Sequence, residues 1–291
     1  MTNLTDNPYV GPRTFLEKEK DWFFGRENEA RDLLSLVLSD RVVLFYAASG
    51  AGKSSLINTR LRPRLEQKGF EVFPTGRVKG ELPEDITEVD NIFMFNLILR
   101  LNQGEHEPAS VSFITLSEYL EWFHDSTSTD NDKPRSHVLI IDQFEEIITT
   151  NIEQWEKREN FFEQLREAIN NDPLLWTVLA LREDYIAPLD PYAPLLPGKL
   201  RTRFYMQPLR QKAALEAIEC PAEKQGRRFA PGVAQALVDD LRTIRPPSRK
   251  KEDYLGEFIE PMHLQVVCHR LWEQLVHFFH DGHGMPRSGR L

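Results

Sequence analysis

Apolar positions along this chain recur with two different periods, and the two alternate. From Glu27 the residues Ala30, Leu33, Leu34, Val37 and Leu38 fall at three- and four-residue spacing, which predicts a helix with one buried stripe. Residues 41–47 then form a short, almost continuously apolar run, the pattern of a strand covered on both faces. The glycine-containing stretch 50–54 turns that strand into a helix burying Leu56, Ile57 and Leu61, which Pro63 is expected to kink or end. Residues 69–78 read as a second strand, and helices are predicted over 92–101 and 116–123. The latter opens with a capping-box pattern, Thr115 and Glu118. The polar stretch 125–136 has no period and reads as a surface loop. A buried strand follows at 138–142, then a long helix marked by Trp155, Phe162, Leu165 and Ile169. Further strands are expected at 175–181 and 203–209.

Strands alternating with helices imply an α/β fold, a parallel sheet covered by helices on both faces. After Pro208 the pattern is helical only, with helices at 213–217, 233–241 and 263–279 and a basic, proline-containing loop at 242–251. This places a domain boundary near 208: residues 1–208 as the sheet domain with an N-terminal extension, and 209–291 as a smaller all-helical domain. The stretch 281–289 is rich in glycine, and the chain stops soon after it, which looks more like a cut than a domain end.

Composition narrows the class. With 291 residues, 41% hydrophobic and 28% charged, the chain can bury a sizeable core, and no apolar run approaches a membrane span. The N-terminus has no secretory apolar region, and two cysteines, Cys220 and Cys268, cannot make a disulfide framework. A reducing, cytoplasmic setting is expected. A net charge of −9 argues against a general nucleic-acid coat while leaving local basic patches open.

The strongest chemical signal is Ala47-Ala48-Ser49-Gly50-Ala51-Gly52-Lys53-Ser54, between the first strand and its helix. A triphosphate needs many donors converging on it without side chains in the way. Gly50 and Gly52 let the backbone N–H groups of Ser49, Ala51 and their neighbours face phosphate, and the helix N-terminus adds partial positive charge. Lys53 is expected at the β- and γ-phosphates, the Ser54 hydroxyl on Mg²⁺ and Ser55 at the α-phosphate. Ala47 stands where the phosphate-loop pattern has its first glycine.

Residues 138–142 form an apolar strand ending in Asp142, the second half of such a site, with Asp142 expected to hold Mg²⁺ directly or through water. Hydrolysis also needs a group that orients or deprotonates water. Gln143 cannot act as a base, so Glu145 or Glu146 is the candidate, with Glu146 preferred. Arg182 ends the strand at 175–181, and a cation at that edge of a parallel sheet can reach a γ-phosphate.

With these motifs in order, the chain resembles the STAND class of P-loop NTPases, signal-transduction ATPases, within their bacterial "novel STAND" branch. The resemblance rests on Asn7-Pro8-Tyr9-Val10-Gly11-Pro12-Arg13-Thr14-Phe15, Phe23-Phe24-Gly25-Arg26-Glu27 and the phosphate loop through Leu56. It continues through Leu61-Arg62-Pro63-Arg64-Leu65, Asp142-Gln143-Phe144-Glu145-Glu146, Leu181-Arg182-Glu183-Asp184-Tyr185, Pro261 and Leu271-Trp272. It implies an adenine nucleotide, ATP or ADP, a helical lid after the P-loop core, and a winged helix or sensor repeats beyond. It also implies Arg26 near the nucleotide, Arg182 sensing the γ-phosphate and Pro261 against the adenine. Ile259 stands where the family's Gly-x-Pro pattern has its glycine.

The expected function is therefore a slow ATPase switch of a bacterial signalling or defence protein that changes conformation or oligomerises with nucleotide, acting on a protein partner or by self-assembly. A steady-turnover AAA+-like motor and a nucleic-acid-loading ATPase are the rivals. The histidines 263, 269, 277, 280 and 283 with Cys268 lack the tight pairing of structural zinc and read as a helix face. The basic residues 242, 245 and 249–251 have no interleaved aromatics and read as a solvated linker.

Overall fold

The computed structural model describes residues 7–127, 135–245 and 252–280. In chain order the elements begin with α1 (Glu27–Ser39), β1 (Val42–Ala47), α2 (Lys53–Leu56), α3 (Arg62–Gln67), β2 (Glu71–Val72), α4 (Ile92–Asn102) and α5 (Leu116–Thr127). They continue with β3 (His137–Ile141), α6 (Glu146–Thr149), α7 (Lys157–Asn171), β4 (Leu175–Arg182), α8 (Ile186–Leu189) and β5 (Arg203–Tyr205). The last are β6 (Leu209–Arg210), α9 (Gln211–Lys224), α10 (Val233–Leu241), β7 (Thr243–Ile244), β8 (Tyr254–Leu255), β9 (Phe258–Ile259) and α11 (Pro261–His280). Two compact units result. One holds Asp32–Ala47 and Arg64–Tyr205; the other holds the described residues of Met1–Arg31, Ala48–Pro63 and Met206–Leu291.

The sheet unit is a five-stranded parallel sheet in the order β2-β3-β4-β1-β5. Its central strands β1, β3 and β4 are largely apolar because both faces are covered, whereas the edge strands β2 and β5 keep charged or exposed residues. Val42, Leu44, Leu139, Ile141, Leu175, Leu179 and Leu181 join one core with residues of α4, α5 and α7. The alternate set, Val43, Phe45, Val138, Ile140, Val178 and Ala180, is buried as well. The capping box at the start of α5 forms as expected: the Thr115 N–H donates to Glu118 Oε2 at 2.7 Å, and the Glu118 N–H donates to Thr115 Oγ1 at 3.3 Å.

The second strand is far shorter than the apolar run suggests. Only Glu71–Val72 ladders fully, and contact with β3 resumes as an isolated bridge from Gly76 to Ile141. At the polar stretch α5 runs on through Thr127, so residues 125–127 are helical; 128–134 lie outside the described residues.

The other unit is built on Tyr9, Leu209, Ala214, Ala217, Ile218, Ala222, Ala234, Val238, Ile259, Leu264, Cys268 and Trp272. Its N-terminal segment is stitched to the helices. The Tyr9 hydroxyl donates to Ile218 O at 2.5 Å and its ring meets Trp272 edge-on, while the Asn7 amide donates to His269 O at 3.0 Å. The helical pattern after 208 needs one correction. Two antiparallel ribbons, β6–β9 and β7–β8, join the helices, each only two residues per strand and so too short to show a period of two. The helix after the phosphate loop does not stop at Pro63. Its turns over Ile57–Leu61 widen, the Arg62 N–H reaching Ile57 O, and α3 continues to Gln67. Proline lacks the N–H for the carbonyl four residues back and its ring crowds that carbonyl, which a widened turn relieves.

Candidate functional site

In the unit that carries the phosphate loop, the loop has the backbone its glycines predict. Gly50 and Gly52 hold φ of 73° and 97°, values costly for any residue with a Cβ. Ala51 N–H closes the turn on Ala48 O at 3.3 Å, and α2 starts at Lys53. Lys53 Nζ donates to Ala48 O at 3.4 Å, folded over its own loop. Arg26, expected near the nucleotide, is 3% exposed and braces the loop from behind, donating to Ala51 O at 3.1 Å and Gln207 O at 2.8 Å. Glu29 pairs with it at 2.6 Å; burial lowers its pKa, and Glu29 opposes that shift. Ser55, expected at the α-phosphate, is buried, and its Oγ accepts the Phe15 N–H at 3.1 Å. Pro261 opens α11, and the next residue, Met262, packs on the loop. A Cβ added to Gly50 would stand 3.1 Å from Met262 Cε.

In the sheet unit the acidic half lies along one edge. Parallel pairing aligns the carboxyl ends of the strands: Gly76 beside Ile141, Ile141 beside Leu179, and Arg182 beside Ala47. Asp142 follows β3 and is 7% exposed; its N–H donates to Gly76 O at 3.0 Å and its Oδ1 accepts the Gln143 N–H at 2.8 Å. Gln143 has φ of 52°, a left-handed conformation uncommon outside glycine. The turn is fixed by Phe144, fully buried among Phe161 and Phe162, whose N–H donates to Ala180 O at 2.8 Å. This anchor delivers Glu145 and Glu146 to the edge.

The two glutamates then diverge. Glu145 Oε2 accepts the Arg182 backbone N–H at 3.2 Å. Glu146 is buried and forms an ion pair with Arg77, whose guanidinium also donates to Gln143 Oε1. Arg77 is the site residue that the sequence reading missed. The available signal was a cation near the end of the expected strand 69–78, comparable to Arg182 after 175–181. The Arg182 side chain itself is tied to Asp184 at 2.5 Å and lies over the Tyr185 ring at 5.5 Å; the Asp184 hydrogen bond raises its pKa.

The Ser54 hydroxyl in the unit that carries the phosphate loop and the Asp142 carboxylate in the sheet unit are each hard oxygen donors of the kind Mg²⁺ takes, and one Asp142 oxygen is already oriented by the Gln143 N–H. Among the described residues no group of three or more His, Cys, Asp and Glu could hold another metal, and the side chains of His277, His280 and His283 lie outside them. The described basic-loop residues face acids: Arg242 pairs with Asp239 at 2.7 Å and Arg245 with Asp240 at 3.7 Å. Arg249, Lys250 and Lys251 lie outside the described residues, as does the stretch 281–289.

The model of the family described as Novel STAND NTPase 1 matches residues 8–275. The chain belongs to that family. The match covers the motifs above from Pro8 to Trp272, and the novel STAND chain is therefore a nucleotide-binding P-loop NTPase. No curated protein matches it. Among solved structures, the Aeropyrum pernix ORC2 protein in its ADPNP–ADP complexes is similar at 13% identity and a TM-score of 0.56, over 100% of this chain and 68% of that one. The ADP form of the same protein gives 13% and 0.55, over 96% and 67%. A Walker-type ATPase of Pyrococcus abyssi, paby2304, gives 15% and 0.49, over 76% of this chain; the NTPase spans 61% of that protein's length. At such identities the likeness to ORC2 shows a shared α/β P-loop fold alone. Among the described residues of the NTPase, no helix is long and apolar enough to cross a membrane.

Proposed function

We propose that this novel STAND NTPase is an ATP-operated switch, binding ATP and ADP with Mg²⁺, hydrolysing slowly, and changing conformation or assembling with itself or a protein partner. One observation carries the reading. A single sheet edge presents Asp142, the Glu145–Glu146 pair and Arg182, and the strand paired with Arg182 runs straight into the left-handed glycines of the phosphate loop. Lys53 would meet the β- and γ-phosphates, and Ser54 and Asp142 would hold Mg²⁺, which supplies charge neutralisation at the phosphates when bound. Glu146, or Glu145 beside it, orients the attacking water and takes its proton. Arg182 meets the γ-phosphate, so the charge it offers distinguishes ATP from ADP.

Adenine is supported by the likeness to a protein solved with ADP and ADPNP, and Met262, the residue after Pro261, packs on Gly50 of the phosphate loop. A ligand moves a conformational equilibrium only through differential binding, and Arg182 is the residue that supplies the difference. A reducing, cytoplasmic setting fits the free cysteines Cys220 and Cys268.

The test combines identification of the nucleotide that survives purification with steady-state hydrolysis and light scattering under ADP and ATP. Bound adenine nucleotide, slow turnover and a change of mass or compactness with ATP alone are expected. Failure to bind any nucleotide, or rapid turnover by an assembly whose mass ignores ATP, would overturn the switch.

A further inference from the structure

The hydrolytic reading of the acidic edge assigns no role to Arg77, yet the sheet unit builds a place for it. Gly76 is locked to β3 on one side: its N–H donates to Ile140 O at 2.8 Å and its carbonyl accepts the Asp142 N–H at 3.0 Å. It has no room for a side chain, since a Cβ there would stand 2.4 Å from Leu97 Cδ1 of α4. On the other side the Asn96 amide of α4 donates to Val78 O and Gly80 O, each at 3.3 Å. The backbone of Arg77 is held from both directions, which a merely solvated arginine does not require.

From that position the guanidinium takes three acceptors. It donates to both carboxylate oxygens of Glu146 and to Gln143 Oε1. Exposure is unequal: the Glu146 side chain is 8% exposed and that of Arg77 is 37%. The carboxylate is walled in, whereas the arginine has a path to solvent. The other cation at this edge, Arg182, is occupied by Asp184 and Tyr185. Gln143 is the residue in the left-handed backbone, so Arg77 grips the strained turn at its side chain.

We propose that Arg77 is a latch on the hydrolytic carboxylate, a positioning residue that turns Glu146 and Gln143 away from the attacking water until its guanidinium swings out. The inference rests on the nucleotide-hydrolysing reading of this edge. Its consequence is that the rate of hydrolysis, rather than nucleotide affinity, carries the cost of unlatching. Turnover is slow because the wild-type chain must first break charge-assisted contacts that the transition state does not use.

The experiment compares wild type, Arg77→Ala, Arg77→Lys, Glu146→Gln and the Arg77→Ala/Glu146→Gln double variant in steady-state ATP hydrolysis, with calorimetric ATP and ADP affinities and thermal melts alongside. Loss of the Arg77 contacts to Glu146 and Gln143, partly screened because the arginine is 37% exposed, should raise kcat of Arg77→Ala about three- to tenfold while KM stays within about twofold. Arg77→Lys, which keeps the cation, should restore most of the restraint, and the gain should vanish in the double variant. If Arg77→Ala slows hydrolysis as Glu146→Gln does, Arg77 orients the base rather than withholding it, and the latch is wrong; an unchanged kcat overturns it equally. Should the melt show Arg77→Ala unfolded, Arg77→Gln, which keeps a donor without the charge, takes its place with the same expected rise. A wild-type chain that neither binds nor hydrolyses ATP sinks the nucleotide reading itself. One that does both, with no gain on removing Arg77, sinks only the latch.

Discussion

Replacing Arg182 by alanine separates recognition of the third phosphate from nucleotide binding in general. The side chain ends β4, 40% exposed, with its Nε and one terminal nitrogen on Asp184 Oδ2 at 3.2 and 2.5 Å. To meet a γ-phosphate it must leave Asp184. A charge-assisted contact contributes on the order of 1.5–3 kcal/mol, and an exposed pair such as Arg182–Asp184 is worth about 0–1 kcal/mol. The difference leaves about 0.5–3 kcal/mol in favour of ATP, or roughly two- to 150-fold in affinity. Arg182→Ala should therefore weaken ATP by that factor and leave ADP within about twofold. Asp184→Asn, which removes the competing carboxylate, should tighten ATP by up to about fivefold and also spare ADP. Isothermal titration with both nucleotides reads these numbers, and light scattering follows whether ATP still drives closure or assembly. Equal losses for ATP and ADP in Arg182→Ala would refute the reasoning, because the arginine would then serve the fold or the shared phosphates.

The other expectations are simpler. Lys53→Ala should abolish detectable ATP binding, and Asp142→Asn should remove its Mg²⁺ dependence; calorimetry with and without the ion checks both. Tyr9→Phe leaves the Ile218 carbonyl without the hydroxyl now 2.5 Å away and should lower stability by about 1–3 kcal/mol in urea denaturation. Thr115→Ala should cost roughly 1 kcal/mol by breaking the capping box. The hydrogen bonds from Thr115 hold the Glu118 pKa below its ordinary value. Its contribution is therefore complete above the unfolded value of about 4.3 and is lost as pH falls through the folded one, so the gap between wild type and Thr115→Ala, which keeps the backbone N–H, should narrow in melts at lower pH by the hydroxyl's share alone.

The main strands, the phosphate loop and the two chemical strand ends were legible in sequence because each is a local pattern. A strand buried on both faces is apolar at nearly every position, so 41–47, 138–142 and 175–181 stood out. A loop that offers N–H groups to phosphate must carry glycine where φ turns positive, as Gly50 and Gly52 do. The capping box at Thr115 and Glu118 is equally local, with donor and acceptor three residues apart. Elements of two residues stayed hidden. Neither ribbon after 208 is long enough to alternate, and 69–78 sends Phe73 and Val78 into the core while only Glu71 and Val72 pair as a full ladder.

What tertiary structure alone decided is which side chains meet. Sequence names Glu145 and Glu146 as equivalents at the end of one strand. Folding gives the first to the backbone of Arg182 and the second to Arg77, 69 residues away along the chain. Arg26 carried a nucleotide role by resemblance, and folding buries it against the carbonyls of Ala51 and Gln207. Such pairings depend on the order of strands in the sheet and on which helix covers which face. Those arise from packing between residues distant in sequence, so no local pattern records them.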